Sequence, residues 1–346
     1  MSTELFAIQR GRFLLVLLLA VLLTACGPGA EVHPPLPTMS LDPERFYVAG
    51  LSSGGSKAQH LYLSWPDEVK GIAVFAAAPY GCARAGVNAA LFQCMGTRGG
   101  RPDPGRLAQQ IRADAAEGKL GDLTALATTR AFVYQAGQDA VIAAAVTDAT
   151  ATLYGQLLPR QQLQLSRHPD AGHGFPAGSL GVACSSSESP YVNACGFDGA
   201  GLSLDHLDAS PGRPLLTSHQ GELQRFSQRP FSGNSRGMAD YGYLYQPPTC
   251  RGNAECGLKM VLHGCEQGAE VVGTDFIKQS GYLQQADARN LVLVFPQVSK
   301  TLPNPKGCWD WWGYESSAFD TREGPQVQAL RGIWQQLLNG NSPELQ

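Results

Sequence analysis

The sequence is short of charge. Asp, Glu, Lys and Arg make up 16% of its 346 residues, against about 25% in an average domain. With 43% hydrophobic residues, this excludes a charge-rich disordered chain and fits a globular core. No long basic run is present, and a formal net charge of −3 gives a nucleic acid little to hold. There is no C-x2-C pair, so the usual zinc spacing is missing and no metal is expected. Internal repeats and extended low-complexity segments are also missing. What is abundant is Gly, at 40 residues, and Pro, at 23, which predicts many turns and irregular loops on a folded scaffold. The length allows two domains or one large α/β domain.

The first residues stand apart from this scaffold. Arg10 and Arg12 precede an apolar run over 13–23, which leads into Leu23-Thr24-Ala25-Cys26. The run falls short of the roughly 20 residues a spanning helix needs. A basic start, a short apolar stretch and small residues before a cleavage point read as an export signal over 1–25. The Cys after Leu-Thr-Ala also matches a bacterial lipobox, in which Cys26 is lipidated and becomes the mature N-terminus. A plain secretory signal with a chance Cys is the alternative. Residues 26–40 then serve as lipid anchor and linker, rich in Pro and Gly. Gly27, rather than Asp, follows Cys26, so the expected location is the periplasm or the outer membrane. Cleavage leaves 321 residues with a formal charge of −4.

Eight cysteines remain. An even number in an exported chain suggests disulfides. Short spacings favour Cys82–Cys94, Cys184–Cys195 and Cys250–Cys256, which leaves Cys265–Cys308.

Past residue 40 the pattern alternates. Residues 45–49, 71–75, 131–134 and 162–165 read as strands, and 56–64, 106–117 and 140–158 as helices. Strands alternating with helices imply a mostly parallel sheet covered on both faces. Residues 178–240 are rich in Gly, Ser and Pro with little periodicity. The alternation then returns, with strands at 241–245, 258–262 and 291–295 and helices at 274–289 and 325–338.

Gly50-Leu51-Ser52-Ser53-Gly54 matches G-x-S-x-G, and so does Gly233-Asn234-Ser235-Arg236-Gly237. Context separates them. Ser52 follows a strand and opens a helix, as a nucleophile elbow requires, whereas Ser235 lies in the irregular stretch. A serine hydroxyl needs a base, and the base an orienting acid. In α/β-hydrolases the chain order is serine, acid, histidine. Asp139 follows the strand at 131–134, and His173 sits in a glycine-flanked loop after the next strand. Both therefore fall at carboxyl ends of strands, on the side of Ser52. Asp148, Asp170, His168 and His60 are weaker candidates, placed in helices, a turn or a strand end.

An oxyanion hole needs the backbone N–H after the nucleophile, here Ser53, and one from a loop after an early strand. His263-Gly264-Cys265 follows the strand at 258–262 and is the candidate for the second donor. His263 itself reads as a structural loop residue. This loop comes after the serine, whereas the usual chain order puts it before. A circular permutation accounts for the reversal: the C-terminal third encodes the early strands of one sheet. Residues 41–340 then form a single catalytic domain rather than two.

Gly-Leu-Ser-Ser-Gly-Gly at 50–55, Gly-His-Gly-Phe-Pro at 172–176, Leu-His-Gly-Cys at 262–265 and Cys-Trp-Asp-Trp-Trp-Gly-Tyr at 308–314 occur in this order. Together they resemble the circularly permuted poly(3-hydroxybutyrate) depolymerases. The resemblance implies a permuted α/β-hydrolase fold, an exported serine esterase without cofactor, Ser52 as nucleophile, and Asp139 and His173 as its partners. It also implies backbone donors at Ser53 and Cys265 and a tryptophan segment lining the polyester site. The family's polymer-adsorbing domain and Thr-rich linker have no counterpart here, which favours oligomers or amorphous polymer as substrate.

Flat aromatic faces suit an uncharged polyester of methyls and ester carbonyls. In an extended segment Trp309 and Trp311 would share one side and Trp312 the other. Trp312 is expected to wall the site, with Trp309 as a second substrate contact and at least one of the three in the core. Two other readings stand beside the depolymerase: a feruloyl or acetyl-xylan type carboxylesterase, and an inactive lipoprotein that binds hydrophobic oligomers.

Overall fold

Among the described strands of five or more residues, four are buried along their whole length: β1 (Phe46–Leu51), β2 (Gly71–Phe75), β10 (Gly257–Leu262) and β11 (Leu291–Phe295). Such strands belong in the middle of a sheet covered on both faces. The computed structural model describes residues 32–209, 216, 218–252 and 255–338. The export segment, Cys26, the first part of the expected linker and residues 339–340 lie outside the described residues. From Pro34 onward these form one compact unit.

The buried strands join β3 (Arg130–Ala136), β4 (Leu163–His168), β8 (Glu222–Ser227) and β9 (Tyr241–Gln246) in an eight-stranded sheet of order β4-β3-β2-β1-β10-β11-β9-β8. β9 runs antiparallel to both neighbours, and the other pairings are parallel. Counting from β8 to the chain end and then on from β1 turns this into 1-2-4-3-5-6-7-8. That is the order of an α/β-hydrolase sheet, with the chain circularly permuted as expected.

Alternate residues feed the two faces. Phe46, Val48, Ile72, Val74, Leu258 and Met260 point to one core, with α1 (Ser53–Ser64), α2 (Pro104–Ala116), α3 (Ala144–Gly155) and α6 (Pro325–Leu338). Tyr47, Ala49, Ala73, Phe75 and Val261 point to the other, under α4 (Gly199–Leu207) and α5 (Tyr282–Arg289). Three short strands, β5 (Phe175–Ala177), β6 (Val182–Ala183) and β7 (Val192–Ala194), make a separate small sheet.

The stretch read as irregular, 178–240, holds β6, β7, α4 and β8. The helix expected over 274–289 is two pieces, Asp275–Gln279 and α5, because Gly281 adopts φ 83° and interrupts the turn. All four expected disulfides form: Cys82–Cys94, Cys184–Cys195, Cys250–Cys256 and Cys265–Cys308.

One core position is costly. Lys259, in the central strand β10, is fully buried, and its Nζ has no hydrogen-bond partner among the described residues. It lies 5.2 Å from the Tyr282 ring and 5.9 Å from that of Tyr47. Burial, reinforced by the Arg289 charge, pushes its pKa down to about 7. A folded pKa below the unfolded value means the unfolded chain binds the extra proton, so stability rises as pH climbs from about 7 toward the unfolded value. Lys259→Met is expected to raise the melting temperature at pH 7, by a few kcal/mol of stability at most. The gain should shrink at pH 9, as thermal unfolding of both forms at the two pH values would show.

Candidate active site

β1, β3, β4 and β10 run parallel, so their carboxyl ends share one edge, and each delivers a site loop. At the end of β1 the chain turns sharply into α1. Ser52 takes φ 55°, ψ −122°, a conformation L-residues avoid and one that costs on the order of 1–3 kcal/mol. Its N–H is held by the Phe75 carbonyl at 2.9 Å. The turn is possible because residue 54 is Gly: a Cβ there would lie 2.3 Å from the Leu262 carbonyl oxygen and 2.4 Å from that of His263. The same closeness brings the loop after β10 against the elbow. Gly50 pairs with Leu262 in register, so Gly264 lies beside Ser52.

His173 follows β4. Its Nδ1 lies 2.7 Å from Asp139 Oδ2, and both side chains are nearly fully buried. Asp139 stands in the loop after β3, and its Oδ1 accepts from the N–H groups of Val141 (2.8 Å) and Ile142 (2.7 Å). The histidine loop is clamped in turn. The His173 N–H donates to Ser187 Oγ at 2.8 Å. Gly174 admits Asn193 so closely that a Cβ would meet its side chain at 2.1 Å. Asn193 donates to the carbonyls of Cys184 and Ser186, and Cys184 is bonded to Cys195.

Ser52, His173 and Cys265 line one cavity of about 340 Å³, walled mainly by apolar side chains that include Leu91, Ile142 and Trp311. The Cys265 N–H has no acceptor among the described residues, so it is free for a ligand oxygen. Ser53 opens α1, where the N–H groups of the first turn lack intrahelical partners. Neighbours fix the Cys265 loop. Gln267 accepts from the Gly264 N–H at 2.7 Å and donates to the carbonyls of Pro190 and Tyr191, tying this loop to the histidine side. His263 is buried, and its pKa falls to about 4 because of that burial. As a neutral ring its Nδ1–H donates to the Gly264 carbonyl at 2.7 Å, and its Nε2 accepts from Val298. It is the strut the sequence suggested.

Trp312 lines the cavity as expected, and Trp309 does not. Trp309 is fully buried, and its indole N–H donates to the His263 carbonyl at 3.0 Å. Trp311 lines the cavity together with Trp312, their rings edge to face at 5.8 Å. The extended alternation fails because Asp310 folds the segment back, its carboxylate accepting from the N–H groups of Gly313, Tyr314 and Glu315. Asp148 pairs with Arg167 at 2.8 Å, His168 stacks on Phe197, and Ser235 does not line the cavity.

No family profile matches the chain. Two curated proteins do. A poly(3-hydroxybutyrate) depolymerase of Delftia acidovorans is 33% identical over 321 residues, covering 91% of this chain and 64% of that protein. A polyhydroxybutyrate depolymerase of Talaromyces funiculosus is 30% identical over 334 residues, covering 92% of this chain and 96% of its own length. The chain belongs to the poly(3-hydroxybutyrate) depolymerase family. Solved structures agree. The PHB depolymerase of Penicillium funiculosum superposes with a TM-score of 0.82 at 29% identity, over 89% of this chain and 100% of that one. A PHB depolymerase complexed with an R3HB trimer matches at the same TM-score and coverage, with 28% identity. This chain spans just under two thirds of the Delftia depolymerase's length.

In this depolymerase fold the Cys265–Cys308 bond joins the Cys265 loop to the segment that begins the Trp wall. Asn304 holds Cys308 on both sides, donating to its carbonyl at 2.8 Å and accepting from its N–H at 2.9 Å. The bond spans 43 residues, worth roughly 3–4 kcal/mol by loop entropy. If it also positions the Cys265 N–H, Cys265→Ser with Cys308→Ser lowers kcat far below the melting temperature, since the N–H survives but its placement does not. An unchanged kcat at low temperature, with only a lower Tm, would leave the bond a purely stabilising role. Gln267 and Asn304 were not read from the sequence, and Trp311 was not singled out as a cavity residue. For Gln267 the signal was present, an amide three residues after Gly264.

Proposed function

We propose that this protein hydrolyses ester bonds of poly(3-hydroxybutyrate) or its 3-hydroxyalkanoate oligomers through an acyl-enzyme. Ser52 Oγ attacks the ester carbonyl as His173 Nε2 takes its proton, with Asp139 holding the opposite ring N–H. The oxyanion lies between the N–H groups of Ser53 and Cys265. The alcohol end leaves with the proton from His173, and a water activated by the same ring releases the acid.

The observation that carries this reading is the cavity itself: Ser52 and His173 open onto an apolar space walled by Trp311 and Trp312. The related solved enzyme holds a trimer of 3-hydroxybutyrate. A sugar ester would call for more polar groups than this lining offers, which counts against a feruloyl or acetyl-xylan substrate. Labelling by a fluorophosphonate probe tests the mechanism. Label on Ser52 is expected, and its absence would support the inactive binding protein instead.

Four disulfides fit an exported protein. The finer reading is a lipoprotein: residues 1–25 as signal, Cys26 lipidated, 26–40 as linker and 41–340 as the catalytic domain. In a Gram-negative host, mass spectrometry should find acyl chains on Cys26. A mature N-terminus without them would refute the anchor.

A further inference from the structure

Past Pro303 lies a second cavity, of about 630 Å³, with a more polar lining than the first. Asn234, Arg236, Thr301, Tyr314, Glu315 and Ser316 line it, and Pro303 belongs to both cavities. Trp312 on the catalytic side and Tyr314 on the far side lie 4.9 Å apart between ring centres, so the Trp wall continues from one cavity into the other. The second G-x-S-x-G stretch forms part of its rim.

Tyr314 and Glu315 are already engaged, whereas the Thr301 hydroxyl has no hydrogen-bond partner among the described residues. The Glu315 carboxylate accepts from the N–H groups of Arg236 and Gly237 and from the Gln326 amide. The Tyr314 hydroxyl donates to the Cys308 carbonyl and accepts from Gln326. The Arg236 guanidinium is different: it is exposed and has no ion-pair partner among the described residues. In the catalytic cavity, by contrast, Lys306 is already paired with Glu266 at 2.8 Å.

We propose that this second cavity is a subsite for the carboxylate end of an oligoester chain, with Arg236 as its anchor. The inference rests on the polyester reading above. In a chain of 3-hydroxy acids the alcohol side of the scissile ester runs toward the free carboxylate, so the leaving fragment carries an anionic end. The apolar catalytic cavity suits the ester units. A planar guanidinium across the Pro303 ridge suits the carboxylate, which it can bind through two parallel hydrogen bonds.

The test compares the linear trimer of 3-hydroxybutyrate as the free acid with its methyl ester, by calorimetry on the inactive Ser52→Ala protein. Arg236→Gln in that background is expected to weaken the acid trimer about tenfold and to leave the methyl ester within about twofold. In the active enzyme Arg236→Gln raises KM for the acid trimer with kcat unchanged. Equal weakening of both ligands, or of neither, would overturn the subsite. So would transfer of the acid-specific loss to Lys306→Met. If neither trimer binds, the polyester reading falls along with the subsite. If both bind without dependence on Arg236, the subsite alone falls.

Discussion

Ser52→Ala is expected to lose ester hydrolysis by about 10⁴–10⁶-fold in kcat, while Tm stays close to wild type. Among the described residues no other hydroxyl lines the cavity beside His173 except that of Tyr191, whose pKa is raised, chiefly by burial. The substitution removes one atom from a residue whose backbone is fixed by Phe75 and by the first turn of α1, so the elbow survives it. Ala accepts the strained φ no better than Ser. Ser235→Ala, in the other G-x-S-x-G, should leave turnover of a short neutral ester within about twofold. The protein must be free of host esterases, and turnover retained by the Ser52 variant would remove Ser52 from the mechanism.

Asp139→Asn should cost about 10⁴-fold in kcat with the fold intact. The reason lies in the two oxygens. Oδ1 accepts two backbone N–H groups and Oδ2 accepts from His173 Nδ1. In the Asn variant the single carbonyl oxygen stays on the two N–H groups, and the NH₂ then faces Nδ1. The ring must turn its acceptor to that side and carry its proton on Nε2, where it can no longer accept from Ser52. Both side chains are nearly fully buried, so the pair interacts directly rather than through bulk solvent. Steady-state kinetics alongside thermal unfolding checks this, and a loss smaller than about tenfold would show that Asp139 does not set the tautomer.

The parts legible in the sequence were those that depend on neighbouring residues. Ser52 announced itself by a strand before and a helix after. The apolar runs of β1, β2, β10 and β11 marked the sheet centre, and the late position of Leu-His-Gly-Cys marked the permutation. Cysteine spacing resolved into the pairs seen. Less legible were features set by long-range contacts. β8, at the sheet edge, is only partly buried and lacks a clean alternation. The interruption at Gly281 hides inside a helical pattern. Trp309 and Trp311 part company, one in the core and one in the cavity, because Asp310 bends the chain through hydrogen bonds to three later N–H groups, which no period of two anticipates. Gln267 had a local signal, but its bonds to the Pro190 and Tyr191 carbonyls, far away in sequence, did not.

The chemistry and the substrate meet in one measurement. Purified protein is incubated in parallel with amorphous poly(3-hydroxybutyrate), a feruloyl ester and an acetylated xylan, and the released acids are quantified. The Ser52→Ala protein serves as the blank. The account predicts that 3-hydroxybutyrate and its short oligomers appear with wild type alone, well ahead of ferulate or acetate. Release of ferulate or acetate in preference to 3-hydroxybutyrate, or equal release from the Ser52→Ala protein, would contradict it.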